Sequence, residues 1–221
     1  MRDLHPGVPR RGPGAGLRGQ LPLFQRGVAT HGEVVDLRDG GWIRYWEALY
    51  EASEADRLFE ALRDDVPWEQ LRNRVWTFPR LTAFVGDIGV VYRYSGVTHA
   101  GSGWPPDLHA VRRRIEQVAG ATFNGLLLNR YRDGNDSMGR HADAEAELGN
   151  NPLVASLSLG AVRTFILRHR TSREKQMLDL AHGSLLLMGG TLQHHWVHEL
   201  PKTSEPVGER INLTFRQFLA P

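Results

Sequence analysis

The C-terminal part of the chain consists of short segments in which apolar residues alternate with polar or small ones. Turn residues such as glycine, proline, asparagine and aspartate separate the segments, which is the pattern of β-strands joined by turns. The predicted strands are residues 123–131, 153–159, 162–167, 176–180, 184–188, 194–198 and 210–219. We therefore expect a β-rich core between residues 121 and 219.

Two segments that precede these strands have apolar residues at helical spacing. Ser53 is typical of a helix N-cap, and residues 54–63 follow it in a helix that must end before Pro67. A second helix is predicted at 107–119 and should end at Gly120. The apolar stripes are formed by Leu58, Phe59 and Leu62 in the first helix, and by Leu108, Val111, Ile115 and Val118 in the second.

The remaining segments complete the prediction of a fold class. Residues 36–45 form a short extended piece or a turn around Gly40 and Gly41. Residues 68–103 are rich in aromatic and β-branched residues and predict strands and loops. Two helices followed by many strands indicate a mainly β fold with flanking helices. The expected architecture is a double-stranded β-helix, or jelly roll, backed by the N-terminal helices.

Composition indicates one globular domain with a tail. The chain has 221 residues, of which 41% are hydrophobic and 24% are charged. Residues 1–30 carry five arginines and one aspartate among many glycines and prolines, so we predict a flexible basic tail. The tail accounts for the positive net charge: the whole chain carries +2 and the tail +4, which leaves −2 for the domain at 31–221.

Several classes of protein are excluded by composition. The chain has no cysteine, so disulfides, thiolate metal sites and cysteine nucleophiles are absent, and any metal must be held mainly by His, Asp or Glu. The longest apolar runs are too short to span a bilayer, and the N-terminus lacks the apolar core of a signal peptide. We expect a soluble, cytoplasmic, monomeric protein that does not bind membranes.

The tripeptide from His141 to Asp143 is the first candidate for chemistry. In an extended backbone, residues i and i+2 point the same way, so His141 and Asp143 can offer a nitrogen and an oxygen to one point. Two histidines and one carboxylate form the facial triad that holds ferrous iron and leaves positions open for substrate and dioxygen. Alone, His-x-Asp is a weak signal, because most such tripeptides are solvated loop residues.

A triad needs a second histidine from another strand. The candidates are His182, His194, His195 and His198, and their positions alone do not decide among them. Strand alternation would place His194 and His198 on one face and His195 on the other. Each of them could equally be a structural histidine with satisfied hydrogen bonds.

The predicted C-terminal strand carries two arginines that could bind an anionic ligand. Residues 210–216 alternate strictly, so that Arg210 and Arg216 share a face with Asn212 and Thr214. A solvated arginine face is the ordinary interpretation of such a strand. However, the two guanidinium groups can also lean toward the two ends of a short dicarboxylate and pair with each carboxylate. Asn129 and Tyr131, again two residues apart, could add neutral donors to the same pocket.

With these residues in place, the chain resembles the AlkB family of iron(II)- and 2-oxoglutarate-dependent dioxygenases. The resemblance runs from about Pro79 to Phe218 and is strongest to the branch of the human DNA-repair members. The motifs that carry it, in this order, are Leu127-Leu128-Asn129-Arg130-Tyr131, His141-x-Asp143, Ser156-Leu157-Ser158-Leu159-Gly160, His182-Gly183-Ser184, Trp196-Val197-His198-Glu199-Leu200-Pro201 and Arg210-x-Asn212-x-Thr214-x-Arg216.

The resemblance implies three cofactors or cosubstrates, namely Fe(II), 2-oxoglutarate and dioxygen. His141, Asp143 and His198 would ligate the iron, since the family pattern Trp-x-His before Leu-Pro selects His198. Arg210, helped by Tyr131, would bind the distal carboxylate of 2-oxoglutarate. Arg216 would hold the carboxylate at the metal-chelating end, with Asn129 and Asn212 nearby.

The resemblance also implies residues that contact the substrate. Glu145 would read the edge of a flipped base, Tyr94 would stack on that base opposite His141, and Tyr92 and Ser95 would line the same cavity. For the two tyrosines, ordinary strand packing is an equally good interpretation. Phosphate contacts would come from two groups of basic residues. The first is Arg80 in the region 68–103, together with Arg72 and Arg74, and the second is Arg168 with the basic residues after it. Each of these could instead be a solvated edge residue.

The function implied is oxidative dealkylation of N-alkylated bases such as 1-methyladenine and 3-methylcytosine in single- or double-stranded DNA. Its products are formaldehyde, succinate and carbon dioxide. An oxygenase that acts on RNA or another methylated substrate would keep every metal and cosubstrate residue, while a non-catalytic nucleic-acid binder would need only the arginines. Duplex-preferring relatives carry an aromatic wedge where this chain has Leu71, Arg72 and Asn73, which leaves the strand preference open.

Overall fold

Two β-sheets and two long helices form the domain in a computed structural model, which describes residues 32–72, 75, 77–94 and 96–219. The predicted basic tail at residues 1–30 lies outside the described residues. In chain order the strands are β1 (Val34–Asp36), β2 (Gly41–Trp46), β3 (Leu81–Gly86), β4 (Val91–Tyr94), β5 (Val97–Ala100), β6 (Gly125–Tyr131), β7 (Met138–His141), β8 (Val154–Gly160), β9 (Arg163–His169), β10 (Lys175–Leu180), β11 (Ser184–Gly190), β12 (Trp196–Leu200) and β13 (Arg210–Arg216). The helices are α1 (Ala52–Asp65), α2 (Pro106–Ala119) and the short α3 (Leu192–His195).

The strands are arranged as a jelly roll with unequal sheets. The major sheet has seven strands in the order β1-β2-β11-β8-β13-β6-β3, and the minor sheet has four in the order β10-β9-β12-β7. The strands of both sheets pair antiparallel, and β4 and β5 form a separate hairpin. The predicted fold class is confirmed.

The two long helices cover the outer face of the major sheet. Helix α1 ends at Asp65, before Pro67, and α2 ends at Gly120, which has the left-handed φ of 64°. The start of α1 differs from the prediction: Glu51, rather than Ser53, is the N-cap, because the Glu51 carbonyl accepts hydrogen bonds from the backbone N–H groups of Glu54 and Ala55. The buried cluster between helices and sheet includes Leu62, Leu108, Val111, Ile115, Leu126, Leu128, Leu157 and Leu213.

The major sheet includes strands from the N-terminal part of the chain, where the sequence predicted extended structure but not its pairing with the core strands. Strand β2 occupies much of the segment predicted as an extended piece or turn, and it pairs with β11. Strand β3 lies in the region 68–103 and pairs with β6. The sheet therefore extends beyond the predicted core at 121–219, because β2 and β3 find partners that are distant in sequence.

The predicted strand at 194–198 is partly wrong. Residues Leu192–His195 form a helical turn, in which the Thr191 carbonyl accepts hydrogen bonds from the N–H groups of His194 and His195 at 3.0 and 3.3 Å. The strand begins only at Trp196. Strand alternation consequently does not apply to His194, which does not share a strand face with His198.

Between the two sheets, strand alternation selects which side chains face the interior. In β13, Ile211, Leu213 and Phe215 pack into the cluster under the helices. The alternate residues, from Arg210 to Arg216, are also buried, so this face is not the solvated arginine face that a surface strand would show. They line a cavity between the sheets together with residues of β6.

The major sheet should depend on its central apolar residues. Leu157 lies in β8 and is fully buried, so Leu157→Ala should lower the free energy of unfolding by about 2–5 kcal/mol through lost burial and the cavity left behind. Leu219→Ala is the matched control, since Leu219 is 57% exposed, and should change that free energy by less than about 0.5 kcal/mol. Urea denaturation of both variants measures the difference. Equal losses would contradict the assigned core.

Candidate active site

Two adjacent strands of the minor sheet bring the predicted histidines together. Strands β7 and β12 pair antiparallel, and His141 lies directly opposite His198 in their register. The two imidazole rings have centroids 4.2 Å apart. Asp143 follows β7 by two residues, and its Oδ2 lies 3.7 Å from Nε2 of His198. One potential ligand atom from each of these three residues lies within 4.8 Å of the others.

Hydrogen bonds set the tautomer of the more exposed histidine. Nδ1 of His141 lies 2.9 Å from the carbonyl oxygen of Gly139. A carbonyl can only accept, so Nδ1 carries the ring proton and Nε2 keeps its lone pair. This is the arrangement found for histidines that bind metals, in which the second nitrogen donates to a backbone carbonyl or carboxylate.

Burial and neighbouring charges keep the other two ligands in the protonation states that bind metals. Burial raises the pKa of Asp143, but Arg216, His198 and His141 outweigh that effect and lower its pKa to about 2. Burial and the adjacent His141 lower the pKa of His198 to about 3. At neutral pH the site therefore offers a carboxylate and a neutral imidazole.

The donor set fits a divalent iron ion. Two imidazoles and one carboxylate match the facial triad, and Oδ2 of Asp143 and Nδ1 of His198 are buried without a hydrogen-bond partner among the described residues. An unpartnered buried carboxylate oxygen is costly unless a cation or donor occupies the site. His141, Asp143 and His198 are thus the residues that could hold the metal.

The three other candidate histidines have different partners. Nδ1 of His182 accepts a hydrogen bond from the backbone N–H of Gly160 at 2.8 Å. His194 contacts the side chain of Asn151 at 3.2 Å. The structure thereby selects His198, which sequence position alone did not.

His195 belongs to a second group of possible metal ligands, with Asp39 and His169. Here the N–H of Ser172 donates to Nδ1 of His169 at 3.0 Å, so the ring proton must lie on Nε2, which donates to Oδ2 of Asp39 at 2.8 Å. A metal at Nε2 would displace that proton and leave both ring nitrogens without one. This group is therefore a hydrogen-bonded clamp between β9 and the turn at Arg38–Gly40.

Gln193, in the short helix α3, supports the backbone of the metal-ligand candidate Asp143. It is 1% exposed, and its Oε1 accepts a hydrogen bond from the backbone N–H of Asp143 at 2.9 Å. Helix α3 carries Gln193 immediately before β12, which carries His198. Gln193 was not among the predicted site residues, because a glutamine next to two histidines has no local pattern that marks such a contact.

The cavity beside the triad contains a buried cation. Arg210 is 2% exposed and donates through Nη2 to Oγ of Ser158 at 2.9 Å, and its guanidinium lies 5.3 Å from the ring centroid of Tyr131. Burial lowers the pKa of Arg210 to about 10, so it remains charged at neutral pH. It forms no ion pair with a carboxylate of the residues that the structure describes. A buried, unpaired guanidinium fits a carboxylate of a bound ligand.

Arg216 has a different partner from the one that the sequence suggested. Its Nη2 and Nε donate to Oδ1 of Asp143 at 2.6 and 3.1 Å. Burial lowers the pKa of Arg216, but the negative charge of Asp143 outweighs this and raises it above the ordinary value. Within the described part of the chain, Nη1 has no hydrogen-bond partner. One donor thus remains for a ligand carboxylate near the metal.

The two asparagines line the same cavity in different states. The Asn212 amide is fully engaged: Nδ2 donates to Oγ of Ser156 and the carbonyl of Leu157, and Oδ1 accepts from Oγ1 of Thr214. It therefore shapes the cavity wall. Asn129 accepts a hydrogen bond from Arg80 through Oδ1, which leaves its Nδ2 for the cavity.

That contact corrects the role predicted for Arg80. The side chain is 2% exposed, and its Nε donates to Oδ1 of Asn129 at 2.8 Å. A phosphate group outside the protein cannot reach a guanidinium in this position. Arg168 is 32% exposed and pairs with Glu199 at 2.7 Å, so it lies at the surface but is already engaged by a carboxylate.

The predicted base-reading residues lie next to the metal ligands. The hydroxyl of Tyr92 donates to Oε1 of Glu145 at 3.3 Å, and Oε2 of Glu145 is buried with no partner among the residues described. Tyr92 is fully buried against Phe84 and Phe218, which agrees with the alternative interpretation of ordinary strand packing. The side chain of Tyr94 and the whole of Ser95 lie outside the described residues.

Near the position where duplex-preferring relatives carry an aromatic wedge, Arg72 forms an isolated antiparallel bridge with Thr77. Leu71 is buried, whereas Arg72 is exposed and Val75 is 92% exposed. Asn73, the third residue at the position of the relatives' wedge, lies outside the described residues. An intercalating Leu71 is therefore excluded by its position in this structure.

Comparisons with known proteins agree with this geometry. A family model described as the 2OG-Fe(II) oxygenase superfamily matches residues 42–216. DNA oxidative demethylase ALKBH2 of Mus musculus is 37% identical and is matched over 99% of this chain and 95% of its own length. Alpha-ketoglutarate-dependent dioxygenase alkB homolog 3 of Homo sapiens is 41% identical over 77% of this chain and 64% of its own. The solved structure of OsALKBH1 superposes with a TM-score of 0.61 at 15% identity, over 79% of this chain and 97% of that one, which supports the fold.

The match to the family model spans the triad, both arginines and most of the two sheets. No helix in the described ranges is long and apolar enough to cross a membrane. On this similarity and on the donor set between its sheets, the chain belongs to the 2OG-Fe(II) oxygenase superfamily and, within it, to the AlkB family of enzymes that use Fe(II), 2-oxoglutarate and dioxygen.

Proposed function

We propose that this protein repairs DNA by oxidative dealkylation of N-alkylated bases such as 1-methyladenine and 3-methylcytosine. The main support for the proposal is that His141, Asp143 and His198 lie together beside the buried Arg210, which has no carboxylate partner among the described residues. Relatives named DNA oxidative demethylase are 34–40% identical to this chain and support DNA as the substrate.

The described residues suggest how the reaction is organised. When bound, Fe(II), 2-oxoglutarate and dioxygen would together supply the oxidant for a C–H bond of the alkyl group. Arg210 binds the distal carboxylate of 2-oxoglutarate, and Nη1 of Arg216 is available to the carboxylate near the metal. Arg216 also keeps Asp143 ionised and fixed in orientation.

Glu145 gives the site its preference for a charged base. 1-Methyladenine and 3-methylcytosine carry a positive charge, and Oε2 of Glu145 is a buried acceptor with no partner in the described part of the protein. A carboxylate in a site shielded from water attracts such a cation more strongly than it would in bulk water. Damaged bases also pair poorly, which lowers the cost of extruding them from a duplex.

Turnover with defined substrates tests the proposal directly. The purified protein with Fe(II), 2-oxoglutarate and ascorbate is incubated with single-stranded DNA, duplex DNA or RNA that carries one 1-methyladenine, and succinate and formaldehyde are measured. We expect equimolar release of both products with DNA. Release only with RNA would favour the RNA alternative, and binding without release would indicate a nucleic-acid binder.

Removing one metal ligand should remove catalysis. His141→Ala deletes a ligand outright, so metal affinity and turnover should each fall by more than about 100-fold, the upper range for losing an outer partner of a ligand. His109→Ala is the control, because His109 is exposed on α2, and should behave as the unmodified protein. Co(II) titration followed by absorbance measures the metal affinity. Full activity of the His141 variant would refute the assigned site.

Glu145 should control which base is accepted. Glu145→Ala removes a charge-assisted contact worth about 1.5–3 kcal/mol, so kcat/KM for 3-methylcytosine should fall by about 10- to 150-fold. The kcat/KM for the uncharged base 1-methylguanine should fall much less, and the affinity for the metal should not change. Glu147→Ala, a change at the neighbouring acidic position, serves as the control. Equal losses for charged and uncharged bases would show that Glu145 does not read charge.

A further inference from the structure

Arg80 connects three strands of the active site, namely β3, β6 and β7. It immediately precedes β3, its Nε donates to Oδ1 of Asn129 in β6 at 2.8 Å, and its Nη1 donates to the carbonyl of Ser137 at 3.4 Å. Ser137 directly precedes β7, the strand of His141, and its N–H donates to the carbonyl of Pro79 at 2.9 Å. The arginine thus connects a cavity strand with the start of a metal-ligand strand.

The contact with Asn129 determines which way the amide faces. The Nε group of a guanidinium can only donate a hydrogen bond, so the amide oxygen of Asn129 must face Arg80. The Nδ2 group, with its two hydrogens, must then face away from the arginine. Asn129 is 1% exposed and lines the cavity together with Tyr131 and Arg210. The amide therefore presents donors, rather than a lone pair, to this space.

An amide in the opposite orientation would weaken the binding of an anion. If Asn129 were free to rotate by 180° about its terminal bond, its oxygen would face a bound carboxylate and repel it. Arg80 excludes that orientation, because it would set the Nδ2 donors against the Nε donor. The benefit reaches the ligand through Asn129, because Asn129 lines the cavity and its oxygen accepts the hydrogen bond from Arg80.

We propose that Arg80 is a positioning residue for 2-oxoglutarate, acting by holding the Asn129 amide with its donors toward the cavity. The inference deepens the proposed function and rests on 2-oxoglutarate as the cosubstrate. It also replaces the phosphate contact expected from the sequence. The exposed Arg72, in the same region of the chain, is the contrasting residue that remains available to DNA.

Two binding measurements separate positioning from DNA contact. The full-length protein is loaded with Mn(II), which supports no turnover, and 2-oxoglutarate is titrated by calorimetry. Binding of a methylated oligonucleotide is measured separately by fluorescence anisotropy. For Arg80→Gln we expect the Kd of 2-oxoglutarate to rise about tenfold, while the oligonucleotide Kd stays within about twofold. Arg72→Gln should show the reverse pattern. An unchanged 2-oxoglutarate Kd together with weaker oligonucleotide binding in Arg80→Gln would overturn the proposal.

A double-mutant cycle tests whether Arg80 acts through Asn129. In an Asn129→Leu background the amide is gone, so Arg80→Gln should change the Kd of 2-oxoglutarate by less than about twofold. A further tenfold loss in that background would show that Arg80 acts by another route.

The choice of variants keeps the proposal testable if burial makes Arg80→Gln unstable. Arg80→Met removes every donor of the side chain and leaves a buried apolar group of similar length, so the Asn129 amide is no longer held and 2-oxoglutarate binding should weaken as well. Melting temperatures confirm that each variant is folded. Because no turnover is measured, absence of DNA dealkylation would refute the proposed function and leave this inference standing. Normal 2-oxoglutarate binding by a folded Arg80→Met would refute the inference alone.

Discussion

The buried ion pair between Asp143 and Arg216 is the interaction on which the site depends. It joins the loop that follows β7 in the minor sheet to the end of β13 in the major sheet, with Nη2 and Oδ1 2.6 Å apart and both side chains almost fully buried. Removing one partner of such a pair costs about 3–5 kcal/mol, because the other charge remains buried and unpaired. The same contact leaves Oδ2 of Asp143 available to a metal. One oxygen of the carboxylate therefore holds the two sheets together, and the other could bind the metal.

Charge balance explains why the cavity accepts an anion as well as a cation. Asp143 carries one negative charge and is paired with Arg216, while His198 is neutral at physiological pH. Arg210 adds a second positive charge with no carboxylate near it in the described structure. A divalent metal would make the cavity still more positive, and a dicarboxylate ligand would balance this excess. The binding of metal and of 2-oxoglutarate should therefore favour one another.

Local periodicity predicted much of the fold and of the site, because strand alternation depends on residues close in sequence. The alternation in 210–216 placed Arg210 and Arg216 on one face, and the i, i+2 spacing placed His141 with Asp143, as the cavity confirms. The contacts of Arg80 and Gln193 could not be predicted, since each joins residues about 50 positions apart through strand pairing. Helix α3 was missed because the Thr191 carbonyl closes a turn within an apparently extended segment.

The central claim is that the cavity between the two sheets holds both the metal and the dicarboxylate. A crystal structure of the protein with Mn(II) and 2-oxoglutarate, recorded with anomalous scattering from manganese, tests this most directly. We predict one anomalous peak bounded by His141, Asp143 and His198, with the distal carboxylate of 2-oxoglutarate against Arg210. A peak at Asp39, His169 and His195, or a dicarboxylate bound outside the cavity, would contradict it.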